Sequence, residues 1–273
     1  MAVEVMAWNV LDAFSDEQRA RGVLKVVAEE RRPDAALFSE AWREGKDGLL
    51  DKVFEDLDRN GYVVTHGLYQ DNDGRQDRHG IVGIVRKERV ADQRPQLISL
   101  SSRNAVHMPL VSADHGTETV VDFFGAHLDD RLEGRRLAQA VRLIRVAEFS
   151  SHALIGGDFN AMQRGDPSAK ALRFVRPIAR RMPTVEPRPD FKPPKLKRIG
   201  SLASRLTDMA TGTTMQRFEE AGFRDTDPKN RPTKGPFMLD HIVTRGLEVI
   251  GQETHAKSPL SDHRAISALV RPI

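Results

Sequence analysis

Six short polar segments, each at the end of an apolar run, carry the residues best suited to chemistry. They are AWN at 7–9, LFSE at 37–40, GAHL at 125–128, GGDFN at 156–160, the aspartate of MLDHIV at 240, and SDH at 261–263. Side chains two residues apart on an extended segment point the same way, so Asp158 and Asn160 face one pocket. A lone Asp or Asn after a strand is commonly part of a turn. Six such segments in one chain favour a shared site instead.

The residue types in these segments match the needs of phosphoryl transfer. Glu40 and Asp262 offer hard oxygen ligands, which favour Mg²⁺, Mn²⁺ or Ca²⁺. His127 and His263 supply imidazoles, which donate to phosphoryl oxygens or transfer protons near neutral pH. A carboxylate such as Asp240 orients and charges an imidazole. The remaining histidines are interpreted as structural or surface residues.

Composition excludes several classes of protein and site. The 273 residues contain no cysteine, which excludes disulfides, thiolate zinc sites and a thiol nucleophile. No apolar run reaches the roughly 18–20 residues that a membrane-spanning helix needs. The first residues, MAVEVMAWNVLDAF, include an acid and lack the basic n-region of a signal peptide. These observations predict a cytoplasmic protein, with residues 1–273 forming one domain.

Apolar runs alternating with amphipathic patterns predict an α/β fold that is rich in strands. Strands are predicted at 3–8, 35–39, 62–68, 80–86, 96–100, 105–111, 119–127, 152–156, 240–244 and 266–270. Helices are predicted at 16–31, 44–59, 131–150, 167–181 and 214–222. Several strands follow one another without an intervening helix. This order favours mixed or antiparallel sheets packed face to face, with helices outside, over a doubly wound parallel sheet.

A basic, proline-rich insertion is predicted at about 176–212. Between Arg176 and Arg205 it has nine Lys or Arg and two acids, whereas the net charge of the whole chain is only +3. Six prolines between Pro177 and Pro194 exclude a regular helix or a central strand. Clustered basic residues attract polyanions through counterion release, so nucleic acid is the first partner to consider. A solubilising loop, or a contact with anionic lipid, is the alternative interpretation.

The ordered series of motifs resembles the endonuclease/exonuclease/phosphatase superfamily. The series runs WNV, then Glu40, then HLDD with Arg136 and Gln139 downstream, then GDFN, LDHI and SDH. The superfamily includes pancreatic-type deoxyribonuclease, abasic-site endonucleases, neutral sphingomyelinases and inositol-polyphosphate phosphatases. The resemblance extends from Asn9 to His263, and GDFN together with SDH is its specific part. It implies a four-layered α/β sandwich of two mixed β-sheets packed face to face and flanked by helices.

The resemblance also implies roles for the matched residues. Three would hold Mg²⁺ or Mn²⁺: Asn9, Glu40 and Asp262. Five would act in catalysis: His127, Asp158, Asn160, Asp240 and His263. Among these, His127 and Asn160 would contact the scissile phosphate, Asp158 would orient or deprotonate the attacking water, and Asp240 would pair with His263. Five basic residues are expected to bind substrate, the last three of them because they lie in the basic insertion: Arg103, Arg136, Lys195, Lys197 and Arg198.

Three positions depart from the family pattern. Ser39 stands where many members have Gln before the metal-binding Glu. Leu11 stands where some members have an acid, and Asp12 follows one residue later. His79 lies where deoxyribonuclease-like members place a Glu that supports the mid-chain histidine. These departures bear on substrate class more than on the core chemistry.

The predicted function is divalent-metal-dependent hydrolysis of phosphodiester bonds, with a nuclease acting on DNA as the first choice. A phosphatase or phospholipase-C-like enzyme acting on inositol or sphingolipid phosphoesters is the alternative within the family. A catalytically inactive nucleic-acid-binding module belongs to a different class. Such a module is expected to lose the metal-binding Glu or the terminal Asp-His pair, and this chain keeps both. No protein partner is inferred.

Overall fold

The computed structural model describes most of the chain outside the predicted insertion. The described residues are 1–43, 45, 48–68, 79–100, 103–114, 117–130, 132–162, 213–227, 229 and 231–273. The insertion at 176–212 and the helix predicted at 167–181 lie outside them. The same holds for three of the predicted substrate-binding residues: Lys195, Lys197 and Arg198.

Twelve strands form two six-stranded mixed sheets within the described residues. In chain order the strands are β1 Val3–Asn9, β2 Ala35–Ser39, β3 Tyr62–Leu68, β4 Gly80–Arg86, β5 Gln96–Ser99, β6 Asn104–Asp114, β7 Thr117–Ala126, β8 Ala153–Asp158, β9 Arg224–Asp225, β10 Asp240–Arg245, β11 Leu247–Thr254 and β12 Ile266–Pro272. The first sheet has the order β11-β12-β1-β2-β4-β3, and the second has the order β5-β6-β7-β8-β10-β9. Only the β1–β2 and β7–β8 pairs are parallel among the paired strands described.

Four α-helices cover the outer faces of the two sheets in the described part of the chain. They are α1 Glu17–Leu24, α2 Leu50–Arg59, α3 Glu133–Ala147 and α4 Thr213–Glu220. The side chain of Asp16 caps α1 by accepting from the amide of Arg19 at 2.9 Å. A π-helical segment, Lys25–Arg31, continues α1, and 3₁₀ turns occur at Ala13–Ser15 and Lys87–Arg89. None of the helices described is long and apolar enough to cross a membrane.

The side-chain alternation of the strands builds the layers of the fold. On β1, Val3, Val5 and Ala7 pack between the two sheets, where they meet residues of the second sheet. Met6 and Trp8 point the other way, into the core beneath α1 and α2. A third core lies between the second sheet and the helices α3 and α4. This four-layered sandwich confirms the predicted fold class.

Sequence patterns located ten of the strands and missed two. Each of the ten predicted strands matches a strand of the structure within a few residues. The missed strands are β9, which has only two residues, and β11, an edge strand. Exposed Val249 and Ile250 interrupt the polar-apolar alternation of β11, and its register shifts between Val249 and Gly251. The helix predicted at 44–59 begins at Leu50, and those predicted at 131–150 and 214–222 correspond to α3 and α4.

Candidate active site

Strand ends from both sheets meet at one edge of the sandwich. Asn9 ends β1, and Glu40 follows β2, the parallel neighbour of β1. In the second sheet His127 follows β7 and Asp158 ends β8, which are also parallel. The carboxyl ends of parallel strands share an edge, where ligands commonly bind in α/β proteins. The amide Nδ2 of Asn9 donates to Oδ2 of Asp158 at 3.0 Å, which joins the two sheets at this edge.

Antiparallel strands bring two further residues to the same edge. Asp240 begins β10 and lies opposite Asp158 in the register. His263 precedes β12, which runs antiparallel to β1 and so starts where β1 ends. Nδ1 of His263 lies 2.7 Å from Oδ2 of Asp240. The hydroxyl of Ser261 donates to the carbonyl of Asn9 at 2.6 Å and so fixes the SDH segment to the end of β1.

The backbone turns sharply where the strands end. Glu40 and Asn160 both have a φ of 48°, in the left-handed region that residues other than glycine rarely adopt. Gly157, inside GGDFN, has a φ of 139°, and a Cβ there would lie 1.9 Å from the carbonyl oxygen of Ala126. Only glycine allows this approach between β8 and β7. Such strained positions concentrate at functional sites.

Asp158 is buried and receives two hydrogen bonds. Asn9 Nδ2 donates to Oδ2 at 3.0 Å, and the backbone amide of Asn160 donates to Oδ1 at 2.9 Å. Burial and the negative charge of Asp240 raise the pKa of Asp158 to about 6. Asp158 is therefore ionised at neutral pH but remains basic enough to accept a proton.

The imidazole of His263 carries a positive charge. Burial alone lowers its pKa, but the carboxylates of Asp240 and Asp158 outweigh burial and raise the pKa of His263 to about 9. Nδ1 donates to Asp240, and Nε2 lies 3.8 Å from Oδ2 of Asp158. This arrangement leaves a second N–H directed into the site, suited to charge on a phosphoryl oxygen.

The imidazole of His127 is neutral. Burial lowers its pKa well below the ordinary value, and the positive charges of Arg103 and His263 lower it further. Nδ2 of Asn160 lies 3.0 Å from Nε2 of His127 and 3.1 Å from the carbonyl of Leu128. Because the amide donates to both, Nε2 of His127 is an acceptor and its ring proton lies on Nδ1. The two histidines of the site therefore differ in charge.

The oxygen ligands that a divalent cation needs are present. Ligand atoms of Asp158, Asp240 and His263 lie within 4.8 Å of one another. Oδ1 of Asp240 is buried and accepts no hydrogen bond. Oε1 of Glu40 lies 3.8 Å from Nε2 of His127, so this carboxylate borders the same space. Since His263 is protonated, carboxylate oxygens rather than its ring nitrogens would hold the cation, and carboxylate chemistry fits Mg²⁺ or Mn²⁺. Glu40 is a carboxylate that the sequence predicts for that role.

The other two predicted metal ligands have protein partners. Oδ1 of Asn9 accepts from the amide of Leu11 at 3.1 Å, while its Nδ2 lies 3.2 Å from Oε1 of Glu40. Oδ2 of Asp262 lies 2.9 Å from Nζ of Lys234, and both side chains are 42% exposed. Both residues lie at the predicted site, and their roles as ligands stay predictions.

The two described residues predicted to bind substrate differ in position. Arg103 pairs with Asp130 at 3.1 Å, and its charge reaches His127. Arg136 is fully buried; it donates to the carbonyl of Asp129 at 2.9 Å and pairs with Glu133 at 2.8 Å. Arg136 therefore holds the loop that follows His127. Because its side chain is not accessible, the prediction that it contacts the substrate is wrong.

A second charged network beside Glu40 was not predicted. Oδ2 of Asp12 accepts from Arg43 at 2.9 Å, and Oδ1 lies 2.7 Å from Nδ1 of His79. The hydrogen bond to Asp12 raises the pKa of His79 above its ordinary value. Asp12 and Leu11 both have positive φ. In the sequence, Leu11 and His79 departed from the family pattern separately, with Asp12 noted only as the acid after Leu11, and nothing else indicated that Asp12 and His79 are in contact.

A buried histidine ties two parts of the site together. Nδ1 of His241 lies 2.7 Å from Oδ2 of Asp225, and Nε2 lies 2.8 Å from the carbonyl of Ala161, just after Asn160. Burial lowers the pKa of His241, but the charge of Asp225 outweighs burial and raises it. Because both partners are acceptors, both ring nitrogens donate. His241, interpreted from the sequence as structural, thus links β10 to the segment that carries Asn160.

Comparison with known proteins agrees with this architecture. The chain resembles the human Nocturnin catalytic domain, solved with a bound sulfate anion, at 15% identity and a TM-score of 0.66, covering 100% of this chain and 95% of that one. An endonuclease/exonuclease/phosphatase from Bacteroides vulgatus aligns over 100% of both chains at 14% identity and a TM-score of 0.65. D. rerio TDP2, solved with a single-strand DNA product, aligns over 99% of both chains at 15% identity and a TM-score of 0.57.

These structures, at such low identity, show a shared fold alone. No curated protein matches the sequence significantly. The family model for the endonuclease/exonuclease/phosphatase family matches residues 6–263, nearly the whole chain and every described motif of the site. The protein therefore belongs to the endonuclease/exonuclease/phosphatase family.

Proposed function

We propose that this protein is a divalent-metal-dependent phosphodiesterase that cleaves nucleic acid, with DNA as its substrate. Hydrolases of its family are generally phosphoesterases and typically depend on a divalent metal. One observation carries the proposal. A buried carboxylate with a pKa of about 6, Asp158, lies 3.7 Å from neutral His127 and 3.8 Å from cationic His263. That combination supplies a base, a hydrogen-bond acceptor and a fixed positive charge around one small volume.

Each side chain has a definite task in this proposal. Asp158 accepts a proton from the attacking water, and the amide of Asn160 keeps Oδ1 of Asp158 oriented. His263, charged through Asp240, donates from Nε2 to a phosphoryl oxygen as negative charge develops there. Glu40 would hold the divalent cation, which supplies positive charge that polarises the phosphoryl group. Positioning and electrostatics of this kind account for most of the catalysis in phosphoryl transfer.

Three observations support nucleic acid as the substrate. The predicted basic insertion has nine Lys or Arg between residues 176 and 205, which suits a polyanion. In addition, the similar TDP2 structure was solved with a single-strand DNA product. The positive charge of Arg103 is close enough to lower the pKa of His127, so Arg103 adds a cation at the site itself. The products formed from plasmid and from end-labelled oligonucleotides distinguish endonucleolytic from exonucleolytic cleavage.

The test is cleavage of supercoiled plasmid and of end-labelled single- and double-stranded oligonucleotides, each with Mg²⁺, Mn²⁺ or EDTA. We expect metal-dependent cleavage, which His263→Ala lowers on the order of 10²–10³-fold because one charge-stabilising donor is lost. His107→Ala is the matched control, since His107 also pairs with an aspartate, Asp122 at 2.6 Å, but on the body of the second sheet. Near-normal turnover by His263→Ala, or cleavage in EDTA, contradicts the proposal. No cleavage of any nucleic acid would direct the assay to inositol and sphingolipid phosphoesters.

A further inference from the structure

Lys234 lies on a tight turn that is fixed to the catalytic strand β10. The amides of Thr233 and Lys234 donate to the carbonyl of Phe237 at 2.8 and 2.9 Å, and the amide of Phe237 donates back to Lys234 at 2.9 Å. The buried hydroxyl of Thr233 accepts from the amides of Leu239 and Asp240, at 3.0 and 3.1 Å. The backbone of Lys234 is therefore held in register with the aspartate that charges His263.

The same turn is also attached to the SDH segment. Lys234 and His263 form an isolated antiparallel β-bridge, and the amide of Arg264 donates to the carbonyl of Thr233 at 2.8 Å. The turn thus contacts both partners of the His263–Asp240 pair. A lysine attached at two points to the catalytic pair has a defined position, unlike a lysine on a solvated surface loop.

The ammonium of Lys234 is directed to the site by Asp262. Its Nζ lies 2.9 Å from Oδ2 of Asp262, and each side chain is 42% exposed. Burial lowers the pKa of Lys234, but the hydrogen bond and charge of Asp262, with the charges of Asp158 and Glu40, outweigh burial and raise it. Half-exposed ion pairs contribute little to stability. The pair therefore adds little to the stability of the fold.

A continuous series of contacts leads from Glu40 across the site to Lys234. The successive contacts are Glu40 to His127 at 3.8 Å, His127 to Asp158 at 3.7 Å, Asp158 to His263 at 3.8 Å, His263 to Asp262 at 3.9 Å, and Asp262 to Lys234 at 2.9 Å. Acidic and basic side chains alternate along this series. Glu40, the proposed cation ligand, and Lys234, a fixed cation, are its two ends.

We propose that Lys234, held by Asp262, binds an anionic phosphoryl oxygen of the substrate beside His263. The inference rests on the proposed function. It narrows the substrates to phosphoesters that present a charged oxygen to Lys234. Lys234 acts there as a point charge, so it complements the divalent cation that Glu40 would hold. In this arrangement Asp262 positions Lys234, and a metal-binding role of Asp262 is the alternative that the test excludes.

The test measures binding without turnover. Inorganic phosphate is titrated into the metal-free protein in EDTA and followed by phosphorus NMR. Lys234→Met should weaken phosphate binding about 10- to 100-fold, the usual effect of losing one charged hydrogen bond. Lys234→Arg should retain most of the affinity. Lys229→Met is the matched control, because Lys229 is an exposed lysine of the same segment.

Two further measurements separate this role from a structural one. Binding of a fluorescent single-stranded oligonucleotide in EDTA should lose about one unit of its salt slope in Lys234→Met, and none in Lys229→Met. The Mn²⁺ affinity should be unchanged in Asp262→Asn. Unchanged phosphate binding by Lys234→Met, or weaker Mn²⁺ binding by Asp262→Asn, overturns the inference.

These results are independent of turnover. If no nucleic acid is cleaved under any condition, the proposed function fails, yet a loss of phosphate binding in Lys234→Met still supports the role of Lys234. If the wild-type protein cleaves DNA and Lys234→Met binds phosphate and cleaves equally well, the proposed function stands and the role of Lys234 is refuted.

Discussion

Replacing Asp240 with Asn tests whether the charge of one buried carboxylate controls His263. The Asp240 side chain is fully buried and lies 2.7 Å from Nδ1 of His263. In Asp240→Asn the geometry is preserved, because the amide oxygen still accepts from Nδ1, but the negative charge is lost. The substitution therefore separates electrostatics from orientation.

In Asp240→Asn we expect the alkaline limb of the pH–activity profile, where activity falls as the pH rises, to move to lower pH. The carboxylates of Asp240 and Asp158 raise the pKa of His263 from 6.5 to about 9, against the opposing effects of burial and of Lys234. That net difference corresponds to about 3 kcal/mol of preferential stabilisation of the imidazolium, and the raising effects of Asp240 and Asp158 together exceed it, because burial and Lys234 act in the opposite direction. Activity needs protonated His263, so it is present below this pKa and lost as the pH rises through it. In Asp240→Asn the loss begins nearer to 6.5.

The acidic limb should move in the same direction. The charge of Asp240 is, after burial, the main cause that raises the pKa of Asp158 to about 6. Asp158 accepts a proton only when ionised, so activity rises as the pH passes its pKa. Removing the charge of Asp240 lowers that pKa, and a bound divalent cation lowers it further. Both limbs of the bell-shaped profile therefore shift to lower pH.

The assay is kcat/KM against pH for the hydrolysed phosphoester, combined with an NMR titration of the His263 ring. Asp122→Asn serves as the control, because Asp122 pairs with His107 at 2.6 Å on the body of the second sheet. It should leave the profile in place. If Asp240→Asn retains an alkaline limb near pH 9 and an unchanged His263 titration, the assignment of that charge to Asp240 is wrong.

Two further substitutions test the framework of the site. His241→Phe removes the buried imidazole that pairs with the carboxylate of Asp225 and should cost about 3–5 kcal/mol in urea denaturation, part of which an added Asp225→Val should recover. The pKa of His241 is raised above 6.5, so its contribution to the free energy of unfolding is fully present below pH 6.5 and is lost as the pH rises through the raised pKa. This pH dependence should be absent from His241→Phe. Gly157→Ala should cost about 2 kcal/mol or more, because its Cβ would lie 1.9 Å from the carbonyl oxygen of Ala126 at a φ of 139°. In contrast, a Cβ added at Gly134 within α3 meets no atom within 4 Å, so Gly134→Ala should be neutral or stabilising. Equal melting temperatures for the two alanine variants would contradict this account.

Local patterns in the sequence determined most of the architecture. Strand periodicity reports which side chains face a core, so β1 and its neighbours were located from the sequence alone. Polar residues at strand ends also predicted that Glu40, Asp158 and His263 share a site. In the folded chain Glu40 and Asp158 both approach His127, and Asp158 approaches His263. The edge strand β11 was missed because a strand with one solvent-exposed edge and little buried surface shows weak alternation.

Only the tertiary structure decided how those residues are charged and paired. The contact of His79 with Asp12 joins residues 67 positions apart, and sequence spacing contains no distance between them. Whether an imidazole is neutral, as in His127, or cationic, as in His263, depends on burial and on neighbouring charges. The pairing of Lys234 with Asp262 likewise exists because a turn before β10 meets a segment before β12. Desolvation and Coulomb energies depend on three-dimensional distance, and that is what the folded chain adds to the sequence.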